Sequence, residues 1–134
     1  LLERHGTERQ IEQQPTLDSA KLDQLRELSA PGGPDIVNEI LSLYLGDLPD
    51  RIDALKDAIE AGNAEELRRE AHRLKGSSMQ IGAARLSALC YELEQLGRAS
   101  RTQEAVSYLM AVEREAAQVR RLLLRQKAQQ AERG

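Results

Sequence analysis

From Ile36 to Leu123 the apolar residues return every three or four positions, in runs cut by Gly62, Gly82 and Gly97. That spacing lines them up on one side of a helix and scatters them over both faces of a strand. The chain must therefore build helices that each bury one stripe. The first long stripe is Ile36, Val37, Ile40, Leu41, Tyr44, Leu45 and Leu48, and Ile52, Leu55 and Ile59 continue its phase beyond Pro49. An internal proline removes a hydrogen bond and crowds the preceding turn, which predicts a kinked long helix or two abutting ones ending near Gly62. Asn63 followed by Glu66 has the form of a cap for the next helix, with Leu67, Ala71, Leu74, Ser78 and Ile81 inward and Gly82 as a left-handed stop. Leu86, Leu89, Cys90, Leu93 and Leu96 make the inner face of another helix ending around Gly97. Ser100 and Gln103 resemble a capping box for the last, whose inner residues run from Ala105 through Val106, Leu109, Val112, Ala116 and Val119 to Leu122 and Leu123.

The ends carry less pattern. Residues 1–15 are polar, contain Gly6 and close at Pro15, which reads as a linker or lead-in in which His5 is incidental. Asp18 is placed to cap a short helix whose Leu22, Leu25 and Leu28 repeat at three-residue spacing, stopping at Pro31-Gly32-Gly33, and Pro34 fits the first turn of the following helix. Beyond Gln126 the pattern lapses, so residues 127–134 are expected to fray. Short connections between long helices make neighbours antiparallel. The expectation is an all-α, up-down antiparallel four-helix bundle with a short additional N-terminal helix, spanning residues 16–126.

Composition narrows the function. With 40% hydrophobic residues, 2% aromatic and neither Phe nor Trp, the core has to be made of Leu, Ile, Val and Ala. A net charge of −3 gives no global basic field, and no aromatic-interleaved basic patch offers stacking for bases, so nucleic acid is not an expected partner. No apolar run approaches the roughly 18 residues of a membrane span and no signal-peptide pattern opens the chain. The single cysteine, Cys90, lies on an apolar stripe and is expected to be buried as a small hydrophobe, which fits a reducing cytoplasm.

One stretch stands apart. If the helix after Asn63 advances by roughly 100° per residue, His72 lies on the order of 140° from the centre of the buried stripe and faces water. Arg68, Arg69, Lys75, Gly76 and Met79 share its face. A neutral ring nitrogen is a nucleophile, and the cations Arg68, Arg69, Arg73 and Lys75 favour a phosphoryl dianion carried on it. Lys75, one turn on, can reach phosphoryl oxygens. Gly76 costs about 0.5–1 kcal/mol relative to alanine inside a helix, and clearance for an approaching protein is the simplest reason for it. Met79 is the one apolar residue of this face, either a casual exposed methionine or part of an adaptable partner contact with Arg73 beside it. Ser77 and Ser78 read as small packing residues. A metal site is disfavoured because position 76, one turn from His72, holds glycine.

The string His72-x-x-Lys75-Gly76-Ser77-Ser78, followed by Gly82, Leu86, Leu89, Cys90 and Leu93-Glu94, resembles the histidine-containing phosphotransfer (HPt) domain of multistep phosphorelays. The resemblance implies a helical bundle that accepts a phosphoryl group on His72 from an aspartate of one receiver domain and passes it to another. It further implies that Lys75 supports the phosphate, that Gly76 gives the receiver access, and that any divalent metal sits on the receiver rather than here. The implied partners are response-regulator receivers and an upstream sensor kinase. The polar lead-in and the absence of a starting methionine lean toward a domain of a hybrid kinase.

Other readings are set against this one. A sensor-kinase dimerisation helix would carry His-Glu-x-x-Thr/Asn-Pro, which is missing, and no glycine-rich nucleotide site follows, so no autonomous kinase activity is expected. A chemotaxis-kinase-like phosphotransfer module would share the bundle. A non-catalytic helical interaction module would share everything except a reactive His72.

Overall fold

The computed structural model describes residues 2–29 and 35–133, with side chains described over 7–29 and 35–129. Six helices and no strand occur among the described residues: α1 (Leu2–Gln13), α2 (Ser19–Glu27), α3 (Ile36–Glu60), α4 (Ala64–Gln80), α5 (Ala84–Arg98) and α6 (Thr102–Arg133). Helices α3 to α6 form a four-helix bundle in which each packs on the next and α6 closes back on α3. Three-residue links at 61–63, 81–83 and 99–101 reverse the chain each time, giving the expected up-down order. The core is the aliphatic one that the composition demanded. Leu41, Leu55, Leu67, Leu86, Leu93 and Leu123 are fully buried. Each such side chain contributes roughly 1.5–3 kcal/mol relative to exposure.

The three reversals share one piece of backbone chemistry. After α3, Gly62 N–H donates to Ile59 O and Asn63 N–H to Ala58 O; after α4, Gly82 to Met79 O and Ala83 to Ser78 O; after α5, Ser100 to Gly97 O and Arg101 to Leu96 O. Each pair satisfies the last orphan carbonyls of a helix, and each needs a residue at positive φ. Gly62 and Gly82 supply it at 65° and 82°, and Ser100 supplies it at 56°. Ser100 therefore stops α5 instead of starting α6, and the capping box expected with Gln103 does not form. Asn63 does cap α4, its Oδ1 accepting from Glu66 N at 3.0 Å, and Asp18 caps α2 by accepting from Ala20 N and Lys21 N. Pro49 lies inside a single continuous α3 rather than between two helices. The stop expected at Pro31-Gly32-Gly33 and the first-turn role of Pro34 lie outside the described residues.

The lead-in differs from expectation. Residues 2–13 are helical, and α1 lies against α5 with Ile11 buried. Its exposed last carbonyls are taken up by a side chain from far along the chain. Arg85 donates from Nε to Gln14 O and from Nη2 to Glu12 O, both at 3.0 Å, and approaches Glu115 of α6 at 3.7 Å. Asp18 N–H also reaches Gly82 O at 2.7 Å. The polar composition of residues 1–15 hid a docked helix because its anchor is not local. The side chain of His5 lies outside the described residues. At the other end α6 runs to Arg133, through most of the segment expected to fray.

Small residues let α4 and α5 approach closely. A Cβ on Gly97 would meet Arg68 N at 2.7 Å and Ala64 O at 2.9 Å, both backbone atoms that cannot yield. Ser87 Oγ donates across the same seam to Lys75 O at 3.1 Å. Gly97→Ala is therefore expected to destabilise the bundle by about 1–3 kcal/mol through overpacking, despite alanine's better helix propensity. Chemical denaturation of the two proteins would show it as a lower midpoint, and an unchanged midpoint would contradict the close seam.

Candidate functional site

Helix α4 turns Leu67, Ala71, Leu74, Ser78 and Ile81 into the core, all at or below 1% exposure. His72 consequently points outward, with its side chain 63% exposed. Ser78 Oγ shares a 2.8 Å hydrogen bond with Tyr44 OH of α3, so its role is to satisfy a buried phenol, and Ser77 Oγ donates to Leu74 O at 3.2 Å. Cys90 is buried beneath the site, and burial pushes its thiol up to about 12.

The ring of His72 meets a residue that periodicity did not single out. Glu94 of α5 is buried, and its two oxygens divide three donors: Lys75 Nζ bonds Oε1 at 2.6 Å, while His72 Nδ1 at 2.8 Å and Arg98 Nη2 at 3.1 Å share Oε2. Burial pushes the Glu94 carboxyl up, but the hydrogen bonds from Lys75, His72 and Arg98 outweigh it and hold the group at about 2. Glu94 is thus a carboxylate at neutral pH, and an ionised carboxylate only accepts. The proton of a neutral His72 ring must then sit on Nδ1, facing Glu94. The other nitrogen, Nε2, keeps its lone pair and faces solvent.

The remaining cations are placed differently. Lys75 belongs to the Glu94 network and also sits 5.5 Å over the Tyr91 ring. Arg68 pairs with Glu65, Arg69 with Glu66 at 3.4 Å and Arg73 with Glu70 at 3.8 Å, each one turn back on α4. The arginines around His72 therefore bring their own counter-charges and do not converge on the ring. Gly76 stands next to it with nothing within 4 Å of an added Cβ. Met79 is 58% exposed and borders an open groove of about 430 Å³ between α1, α4 and α5, with Ile11, Lys75 and Tyr91. Sequence reasoning placed His72, Lys75, Gly76 and Met79 on one outer face, quoted Glu94 in the motif without giving it a role, and did not name Arg98. The available signal was a glutamate one turn after Cys90 and three residues before Gly97, inside an apolar stripe where a charge requires partners.

Comparison with known proteins agrees with this geometry. A family model described as the Hpt domain matches residues 39–133. Histidine-containing phosphotransfer protein 2 of Arabidopsis thaliana is 31% identical over 104 residues, covering 75% of this chain and 66% of that protein's length. The crystal structure of histidine-containing phosphotransfer protein B from Pseudomonas aeruginosa superposes with a TM-score of 0.79 at 34% identity, covering 86% of this chain and 96% of that one. The HPt domain of a sensor hybrid histidine kinase from Shewanella shares the fold, with a TM-score of 0.71 at 21% identity over 85% of this chain and 95% of that one. This chain belongs to the Hpt family of histidine-containing phosphotransfer domains.

Two measurements follow from the site's physics. Gly76→Ala should raise stability by about 0.5–1 kcal/mol, because the added methyl meets nothing and helix propensity improves; a loss measured by denaturation would mean that the glycine serves the fold. Glu94 titrates lower in the folded protein than its ordinary value of 4.5, so its contribution is complete above that value and is lost as pH falls toward about 2. That contribution is at most about 3 kcal/mol. Glu94→Gln should therefore show a smaller fall in unfolding free energy between neutral and acid pH than the natural protein, and equal falls would contradict the pairing.

Proposed function

We propose that the chain is a phosphorelay intermediate in which His72 accepts a phosphoryl group from a receiver-domain aspartate and yields it to another receiver. The observation that carries this is the fixed ring: Nδ1 is committed to Glu94 at 2.8 Å while the opposite nitrogen opens to solvent beside the vacant flank of Gly76. In the accepting step the Nε2 lone pair attacks phosphorus in line, the bond from phosphorus to the aspartyl oxygen breaks, and its electron pair returns to the receiver's carboxylate. The new Nε2–P bond leaves the ring cationic. Its remaining proton stays on Nδ1, where the Glu94 carboxylate offsets the charge. The return step reverses this, with the ring as leaving group.

Lys75, one turn from His72 and tethered at Glu94, is the cation that supports the transferred oxygens. Arg68, Arg69 and Arg73, already paired on their own helix, present a polar rim to the partner, and Met79 gives that rim one adaptable apolar contact. The divalent metal that neutralises a phosphorylated aspartate belongs to the receiver. This chain supplies placement. No helix among the described residues is long and apolar enough to cross a membrane. The reading places the domain in the cytoplasm, between an upstream sensor kinase and response-regulator receivers, without nucleic acid.

His72→Gln should abolish phosphoryl acceptance and leave the helical circular dichroism intact, since the side chain is mostly exposed and glutamine can still donate to Glu94. The assay is incubation with a phosphorylated receiver, scored for label lost in acid but kept in base; acceptance by the variant would refute the assignment. Lys75→Ala should slow transfer by on the order of tenfold to a hundredfold. Gly76→Leu should slow it without unfolding the domain, because a branched side chain fills the approach path. An unchanged rate would remove the reason given for that glycine. A natural protein that takes no label from any of a panel of receivers would favour the inert interaction module.

A further inference from the structure

Arg98 has a place in the site that its exposure does not explain. Its side chain is 54% exposed, yet Nη2 turns onto the buried Glu94 and bonds the same oxygen that accepts from His72 Nδ1, at 3.1 Å and 2.8 Å respectively. An exposed ion pair of this i,i+4 kind is ordinarily worth little. Here the acceptor is buried and is also the ring's acceptor, so the arginine acts on the histidine through one shared atom. With Lys75 held on Oε1, an Oε2 whose sole donor is the imidazole still favours a second proton on that ring, because the resulting cation is the nearest added positive charge for that oxygen. An imidazolium has no free nitrogen lone pair and cannot attack phosphorus. A guanidinium is a permanent cation and supplies the counter-charge from outside the ring.

We infer that Arg98 is a positioning residue that keeps His72 neutral, and so nucleophilic, by giving the shared Glu94 oxygen a standing positive partner. The inference deepens the phosphotransfer reading, which gives the neutral ring its purpose, but it concerns the unphosphorylated protein and can be tested without a phosphoryl donor.

The other charged groups near the pair are accounted for element by element. On α4, Lys75 binds the far oxygen Oε1, and Arg68 is turned to Glu65. On α5, Tyr91 lies under Lys75, and Glu92 lines the adjoining groove with its carboxyl pushed up by burial. The edge of α1 brings Thr7, Gln10 and Gln14 to the adjoining groove, none of them ionisable near neutrality. From α3, Arg51 turns to Glu70, and from α6, Glu115 turns to Arg85. Arg98 is the cation that shares the ring's own acceptor atom.

The test is a proton–nitrogen correlation titration of the imidazole rings from about pH 5 to about pH 9. The His72 signal is identified against His5 by its loss in His72→Gln. Arg98→Met keeps the stem and removes the charge; Arg98→Lys keeps the charge. In Arg98→Met the His72 midpoint should move up by roughly half a pH unit, and phosphoryl acceptance from a phosphorylated receiver should drop by about threefold in buffers below the midpoint, by less than about twofold near neutrality, and recover in alkaline buffer. Arg98→Lys should stay near the natural protein in both. Equal melting temperatures of the three proteins separate this effect from loss of fold. A midpoint that stays put in Arg98→Met, or one that moves as far in Arg98→Lys, overturns the inference. If the natural protein accepts no phosphoryl group while the Arg98→Met midpoint still rises, the phosphotransfer reading falls and the positioning role stands.

Discussion

The site depends on one buried carboxylate and the three donors that make it tolerable. Removing a charged carboxyl from water costs several kcal/mol even after relaxation, and that cost is recovered only when both oxygens are well bonded. Glu94 meets the condition with Lys75 on one oxygen and His72 with Arg98 on the other. Two of these partners belong to α4 and one to α5. The same bonds therefore lock the register of the two helices, orient the imidazole and anchor the lysine. A slip of α5 along α4 would break both bonds that cross the seam, those from His72 and Lys75, at once. The Ser87 bond to Lys75 O and the contact of Gly97 with the Arg68 backbone hold the seam against such a slip.

This arrangement changes the meaning of the basic residues around His72. Read along the chain they look like a cationic field waiting for an anion. In three dimensions Arg68, Arg69 and Arg73 each turn back to a glutamate one turn earlier, so their charges are largely compensated where they stand. Compensated arginines steer a partner less and discriminate among partners more, since any approaching surface must match both signs at short range. The charge that matters to the ring comes instead from α5, through Glu94. A carrier that must release its phosphoryl group as readily as it accepts one is well served by this. A strong cationic trap would hold the dianion too tightly.

How much of this was legible in the sequence follows from the range of each interaction. The outward direction of His72 and the inward stripe of α4 depend on helix geometry alone, and both were readable from spacing. So were the Asn63 cap and the Gly82 reversal, where the deciding bonds span a few residues. The docking of α1 was hidden because its carbonyls are capped by Arg85, about seventy positions away, and its buried surface centres on Ile11. Ser100 misled because serine is a good helix opener, and nothing local reveals that the α5 terminus claims it first in a left-handed conformation. Glu94 was visible as a charge in an apolar stripe, but its partners lie on another helix and one turn ahead.

Two glycines show why the functional half of the site was easier to read than the structural half. Gly76 and Gly97 both sit inside helices and both cost propensity, yet they face opposite constraints. Gly97 is pressed against the backbone of Arg68, so its missing side chain is explained by the molecule itself. Gly76 has open space where its side chain would be, and no described atom comes within 4 Å of it. Gly46 inside α3 is equally open, so what sets Gly76 apart is its place one turn from His72. The inner face of the α4–α5 seam is closed to additional atoms, while the outer face is left vacant beside a ring whose hydrogen bond is already committed inward. That asymmetry, a rigid back and an unobstructed front, fixes the direction of the ring while leaving its outer edge open, the two conditions an in-line approach sets.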